Sequence, residues 1–174
     1  DGTPLHVVAH LHDMTERVEA RQELEEAREH LATILDTITD AVVTVEKDGR
    51  ISYANPAAEP ILGITPSEAA GHSYDDPRWN ITGVGGGSFP TEELPFSRVM
   101  ATGGPVYGIR HGVEKPDGTR AVVSVNAAPL RDVDGELTGM VASIQDVTER
   151  TRAEREVARL NRELEEIGRA SCRE

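Results

Sequence analysis

The beginning and the end of this chain repeat each other. Residues 1–34 align without a gap with residues 134–167, and twelve of the 34 aligned positions are identical. Both copies contain an Asp-x-Thr-Glu-Arg motif, at Asp13 and at Asp146, followed by apolar residues at helical spacing. Self-similarity at a fixed offset is typical of tandem arrays. Because only one full unit fits between the two motifs, we interpret residues 1–12 as the final strand of a preceding, truncated repeat.

Composition excludes several classes of partner and site. The 174 residues are 37% hydrophobic, which suits one modest core, and no apolar run approaches the ~18 residues of a membrane span. The formal net charge of −13 argues against nucleic acid and against an anionic membrane surface. The single cysteine, Cys172, excludes an internal disulfide and a cysteine-based zinc site, and we expect no metal site. With no signal peptide visible, we expect a cytoplasmic chain without direct membrane insertion.

Two segments have the heptad spacing of coiled-coil helices. Residues 13–39 and residues 148–167 carry apolar residues alternately three and four positions apart, among mostly Glu, Arg and Gln. We predict linker helices that pair with those of a second copy, while an apolar face lying on a domain stays open as an alternative. The predicted dimer seam consists of Leu24, Leu31, Ile34, Val157, Leu160 and Leu164. Residues 168–174 leave the heptad pattern, and we assign no function to this tail, for which foreign sequence is one explanation.

Between the two helices, residues 40–147 alternate β-prone runs with turn signals. Asp48-Gly49 between two such runs predicts a hairpin. A helix with Thr91 as its N-cap is predicted where Glu92 and Glu93 open an apolar-periodic segment. The predicted strands cover 41–46, 50–54, 106–114, 120–128 and 137–145, with short helices up to residue 70, a loop over 71–90 and a helix over 91–102. This order predicts an α+β domain in which helices cover one face of a five-stranded antiparallel sheet.

Three short motifs connect this arrangement with a known family. They are Tyr53-Ala-Asn-Pro-Ala-Ala58, Pro116-Asp-Gly118 and Gln145-Asp-Val-Thr-Glu-Arg150, the last placed between a predicted strand and a heptad helix. Together with the element order, they resemble the PAS family of sensory domains over about residues 31–150. The resemblance implies a PAS-like fold that binds a small ligand between the sheet and the helices, or that dimerises only. Such domains commonly occur in tandem.

The resemblance also implies that a signal leaves the domain through its last strand and enters a helical linker. Asp146 stands where the last predicted strand ends, and its carboxylate, with that of Glu149, can accept hydrogen bonds from the free N–H groups of the next helix. We therefore predict that Asp146, Thr148 and Glu149 form the signal relay.

For a ligand site we select four residues that are aromatic or can form hydrogen bonds. Trp79, Tyr107, His111 and Asn126 are expected near the cavity between helices and sheet, with core packing as the alternative for each. PAS domains that bind haem usually supply an axial histidine from the longer helix, and residues 91–102 contain none. Flavin photosensors of the LOV type need a reactive cysteine near the early helices, where there is none. We expect neither cofactor, and an unidentified small ligand stays open.

The resemblance implies a sensory or relay module of a multidomain signalling protein, and we favour a sensor histidine kinase. The segment lacks a catalytic constellation, so we expect no catalysis within it and an output domain elsewhere. The alternatives are a ligand-free dimerisation or spacer module, and a regulatory segment of a diguanylate cyclase or transcription regulator. The expected partners are a second copy of the chain, through the linker helices, and adjacent PAS and output domains.

Overall fold

The computed structural model describes the backbone of residues 5–171 and the side chains of residues 17–166. The chain divides into two compact units, residues 1–38 and residues 39–174. Within the described residues, the first unit is a single helix, α1 (Leu5–Thr37).

Helix α1 corrects the prediction made for the start of the chain. Residues 5–12 are helical, so the predicted strand is wrong there, and residues 1–4 lie outside the described residues. A strand without partners leaves its backbone N–H and C=O groups unpaired, whereas a helix pairs them within the segment. Since α1 runs continuously through Asp13, that residue does not begin a helix. The derivation of residues 1–12 from a preceding repeat stays an interpretation of the sequence.

The second unit is built on an antiparallel sheet of five strands. These are β1 (Ala41–Glu46), β2 (Ile51–Ala54), β3 (Val106–Glu114), β4 (Arg120–Arg131) and β5 (Leu137–Asp146), in the spatial order β2-β1-β5-β4-β3. The predicted α+β class is therefore confirmed. Because the first and last strands are neighbours at the centre of the sheet, β5 is held on both sides, by β1 and by β4.

Three helices pack on the sheet face that carries the buried side chains: α2 (Ala58–Leu62), α3 (Pro66–Ala69) and α4 (Pro95–Thr102). Helix α4 begins at Pro95, so the predicted start at Thr91 is wrong. Leu94 is extended, with ψ at 146°, because a following proline disfavours helical backbone, and residues 91–93 form a separate 3₁₀ turn. Proline itself is well suited to the first helical position.

The core lies between these helices and the sheet. Alternate residues of the strands are buried, among them Val43, Val45, Val123 and Val125, and they pack against Leu62, Phe96 and Val99 of the helices. The fully buried Asn55 explains the Asn-Pro motif. Its side-chain Oδ1 accepts from the N–H of Val42 at 2.8 Å and its Nδ2 donates to the carbonyl of Asp40 at 3.1 Å. This side chain ties the end of β2 to the beginning of β1.

The last strand is followed directly by helix α5 (Thr148–Ser171). The helix begins one residue after the buried Val147 and continues four residues into the predicted tail. Residues 172–174 lie outside the described residues.

Candidate functional site

A cavity of about 80 Å³ lies inside the core between the sheet and the helical side. Its walls are mostly apolar and include Val45, Leu62, Phe96, Val125 and Met140. Tyr74 packs against Phe96 with ring centroids 4.3 Å apart, and the Tyr74 hydroxyl lies 3.1 Å from Ser97 Oγ. Sequence reasoning did not select these aromatic residues, because Tyr74 lies in an irregular segment whose spacing does not indicate which side chains point inward.

Trp79 lines the cavity, as the sequence predicted, and is only 8% exposed. It ends a 3₁₀ turn, Pro77–Trp79, whose first N–H groups are satisfied locally because Asp76 Oδ1 accepts from the N–H of Arg78 at 2.9 Å. The indole Nε1 donates to the carbonyl of Ser73 at 3.3 Å, a long hydrogen bond. Apolar packing therefore holds this ring more than hydrogen bonding does.

His111, on β3, also lines the cavity and is 6% exposed. Its Nδ1 is buried and has no hydrogen-bond partner among the described residues. The ring of Phe89 lies 5.5 Å away, centroid to centroid. Burial lowers the pKa of His111 to about 4, so the imidazole is neutral at pH 7 and has one donor and one acceptor nitrogen. His111 is therefore a cavity-lining residue with an unsatisfied hydrogen-bonding nitrogen.

The structure does not place Tyr107 and Asn126 in the cavity, which corrects both predictions. Tyr107 is 75% exposed, because a β-bulge between Val106 and Ile109 turns it outward, and Gly108 adopts a left-handed φ of 64° within that bulge. Asn126 lies on the outer face of the sheet, where its Oδ1 accepts from the N–H of Gly108 at 2.8 Å. The alternation along β4 already places Asn126 opposite the buried valines; the bulge has no comparable signal in the sequence.

The junction of β5 with α5, where Asp146 pairs with Val123 of β4, is a hydrogen-bonded corner. Asp146 Oδ1 accepts from the N–H of Thr148 at 2.9 Å and from its hydroxyl at 2.5 Å. The Thr148 Oγ1 accepts in turn from the N–H of Val122 at 2.9 Å, and the N–H of Val147 donates to the carbonyl of Val122 at 2.8 Å. The first turn of α5 is thus bonded to β4 as well as to β5.

Glu149 takes no part in this corner, contrary to the sequence prediction. It is exposed, and it pairs instead with Arg152, whose Nη1 lies 2.6 Å from Oε1. Asp146 alone accepts the hydrogen bonds at the start of the helix. Because the Asp146 side chain bonds two residues ahead, a second carboxylate is not needed there.

Two arginine contacts hold the next turn of α5 to the domain. Arg110 Nη1 lies 2.9 Å from Glu154 Oε2, and Arg155 donates to the carbonyl of Val84 in the loop over residues 71–90. Hydrogen bonds from Arg150 and Arg110 lower the pKa of Glu154. Arg110 precedes His111 on β3, so the strand that lines the cavity also contacts the outgoing helix.

The predicted seam residues Leu24, Leu31, Ile34, Val157, Leu160 and Leu164 are all exposed on their helices in the single chain. Their burial in a dimer stays a prediction. Among the residues that the structure describes, no group of three His, Cys, Asp or Glu side chains is placed to hold a metal ion. Within the same part of the chain, no helix combines the length and hydropathy that a bilayer crossing requires.

A central antiparallel sheet, short helices over one face, a core cavity and a helix leaving the last strand together form the α+β architecture that the sequence predicted. A family model described as the PAS fold matches residues 35–152, so this chain belongs to the PAS family. The crystal structure of a PAS domain from Colwellia psychrerythraea superposes with a TM-score of 0.58 at 19% identity. That similarity covers 71% of this chain and 98% of the other chain, and it supports the fold alone.

Parts of larger signalling proteins are also similar to this chain. The probable diguanylate cyclase DgcE of Escherichia coli (strain K12) is 29% identical over 84% of this chain and 13% of its own length. The C4-dicarboxylate transport sensor protein DctS of Rhodobacter capsulatus is 27% identical over 77% of this chain and 20% of its own length. The cell-division control histidine kinase PdhS of Brucella ovis is 45% identical over 32% of this chain and 5% of its own length. The chain thus spans at most a fifth of these relatives and is a PAS sensory domain of the kind found in multidomain signalling proteins.

Proposed function

We propose that this chain is the ligand-sensing PAS module of a sensor histidine kinase. It binds a small uncharged molecule in the core cavity and passes the resulting change from β5 to the linker helix α5. The single observation that supports this proposal is His111, which lines a mostly apolar cavity and whose buried Nδ1 has no hydrogen-bond partner among the described residues. A buried polar atom without a partner is costly, and sites that keep one commonly serve binding or catalysis.

The cavity restricts the chemistry of the ligand. Its apolar walls stabilise carbon-rich groups by removing them from water, and a volume of about 80 Å³ limits the ligand to a few non-hydrogen atoms unless the walls move. The neutral His111 offers one hydrogen bond but no charge that would compensate a carboxylate or an ammonium group. A small alcohol, ketone or amide satisfies these conditions.

The route to the output is supported by the corner at Asp146 and Thr148. β5 is paired with β1 and β4, and its last residues are bonded to the beginning of α5. A ligand that shifts the cavity walls, Met140 and Ala142 among them, acts directly on β5. Helix α5 then moves with β5, because the Thr148 hydroxyl is hydrogen-bonded to both Asp146 and Val122.

The histidine kinase output is supported by the relative PdhS, which is named a histidine kinase, and by the sensor protein DctS. A diguanylate cyclase output is the second candidate, favoured by the match to DgcE over most of this chain. In either case the chemistry belongs to another domain and the PAS segment has no catalysis of its own. We further propose a cytoplasmic location and a homodimer through the linker helices, next to adjacent PAS and output domains.

Native mass spectrometry of the purified chain tests ligand binding. We expect a reproducible small-molecule adduct on the wild type and its loss in His111→Phe, which keeps a ring in place but removes the hydrogen bond. Tyr107→Phe is the matched control, since this ring is exposed and outside the cavity, and it should keep the adduct. If no variant and no preparation of the wild type carries an adduct, the ligand-free dimerisation module replaces this proposal.

A further inference from the structure

Trp79 is a wall shared by two spaces. The residue lines both the core cavity and an outer cleft of about 560 Å³. The cleft is bordered by Glu68, His72, Arg78, Glu114 and Lys115, a mixture of both charges. Hydrogen bonds from Arg78 lower the pKa of the neighbouring Asp76 to about 2, so its carboxylate stays charged. The indole therefore separates an apolar interior from a charged exterior.

Besides the apolar packing of the indole, the turn that carries Trp79 has three side-chain hydrogen bonds to the rest of the domain. Two are the long indole bond to Ser73 and the contact of Arg78 Nη2 with His72 Nε2, at 2.8 Å. The third is the bond from Asn80 Nδ2 to Glu114 Oε2 of β3, at 2.7 Å, which we call the latch. The latch is exposed, so water can replace it at small cost.

A fixed point lies just beyond the turn. Thr82 and Gly112 of β3 exchange two backbone hydrogen bonds, of 3.0 and 2.7 Å, and hold the chain against the strand. Asn80, between this bridge and Trp79, has a left-handed φ of 37° and is the one non-glycine residue with positive φ in the described part of the chain. Asparagine adopts this conformation more readily than most residues. This backbone reversal separates the Trp79 turn from the bridge that holds Thr82 to β3.

From this geometry we propose that the Trp79 turn is the gate through which a ligand passes from the outer cleft into the core cavity, and that the Asn80–Glu114 latch holds the gate closed. The inference rests on the proposed ligand-sensing function and assigns the entry route for that site. In the closed state the indole is buried, which the apolar contacts favour. Opening breaks the latch and moves the ring toward the cleft.

Three variants separate the latch from the backbone. Asn80→Gly removes the amide but retains the left-handed backbone, and Glu114→Ala removes the acceptor. Glu114→Gln is the matched control, because its side-chain oxygen accepts the same hydrogen bond. Since Trp79 is the only tryptophan, its fluorescence quenching by acrylamide reports opening of the turn. Xenon, which occupies apolar cavities, reports access to the interior through its exchange rate in ¹²⁹Xe NMR.

We expect Asn80→Gly and Glu114→Ala to raise both the quenching constant and the xenon exchange rate roughly five-fold, the factor expected from one net hydrogen bond. The xenon dissociation constant should stay unchanged, because entry and exit are accelerated equally, and Glu114→Gln should behave like the wild type. If both latch variants bind xenon and exchange it at the wild-type rate, the proposed gate is contradicted while the proposed ligand site is not. If neither the wild type nor any variant binds xenon, the proposed ligand site and the proposed gate are both overturned.

Discussion

Replacing Thr148 by valine removes the hydroxyl that joins the last strand to the outgoing helix. Valine has nearly the same shape, but the part-buried N–H of Val122 loses its acceptor and Asp146 loses one of its two donors. An unpaired buried amide costs about 1–3 kcal/mol, so we expect the free energy of unfolding to fall by about 2 kcal/mol. For a chain of this size that corresponds to a melting temperature lower by roughly 4–8 °C.

The assay has a global and a local readout. Urea denaturation gives the free energy of unfolding, and amide hydrogen exchange at Val122 reports the corner itself. Thr148→Ser keeps the hydroxyl and should restore most of the stability and the protection of this amide. A Thr148→Val variant within 0.5 kcal/mol of the wild type, with normal exchange at Val122, would refute the bonded corner, since ~0.5 kcal/mol is the ordinary scatter of surface substitutions.

Two further predictions concern His111 and the helices. The folded state holds the pKa of His111 near 4, below the ordinary value of 6.5, so below pH 6.5 the unfolded state takes up a proton that the folded state refuses. The contribution of this group to the free energy of unfolding is therefore complete above pH 6.5 and is lost as pH falls toward 4, by up to about 3 kcal/mol. Urea denaturation of His111→Phe should no longer show this pH dependence. At pH 7 the free energy of unfolding of the variant should equal or exceed that of the wild type. Analytical ultracentrifugation should show a dimer that Leu31→Glu or Leu164→Glu converts to monomer, whereas the exposed substitution Glu25→Gln leaves it unchanged; a monomeric wild type at high concentration would contradict the seam.

The fold could be read from the sequence wherever local chemistry and tertiary packing agree. The structure contains the predicted hairpin at Asp48-Gly49 and the predicted alternation of buried and exposed residues in β4. In both places the local backbone preference and the burial of the side chains favour the same structure. The start of α4 was misplaced because the restriction that Pro95 imposes on Leu94 outweighs the capping signal of Thr91.

The candidate site was predictable in part. His111 and Trp79 were found because the one follows strand alternation and the other is a large aromatic in a loop beside the sheet. Tyr107 was misplaced because the bulge at Gly108 changes which residues face inward, and a one-residue shift moves a side chain to the opposite face. The corner at Asp146 was anticipated from its motif, but the bond from Val122 to Thr148 depends on the register of β4, which the sequence does not specify.

The most direct test of the account measures the signal response of the full-length protein carrying Asp146→Ala together with Thr148→Ala. These changes remove both side chains of the corner and lie outside the cavity. If the response passes from β5 through this corner to α5, ligand binding by the isolated domain will persist while the output no longer changes with ligand. A full-length variant that binds ligand and responds like the wild type would contradict the proposed relay.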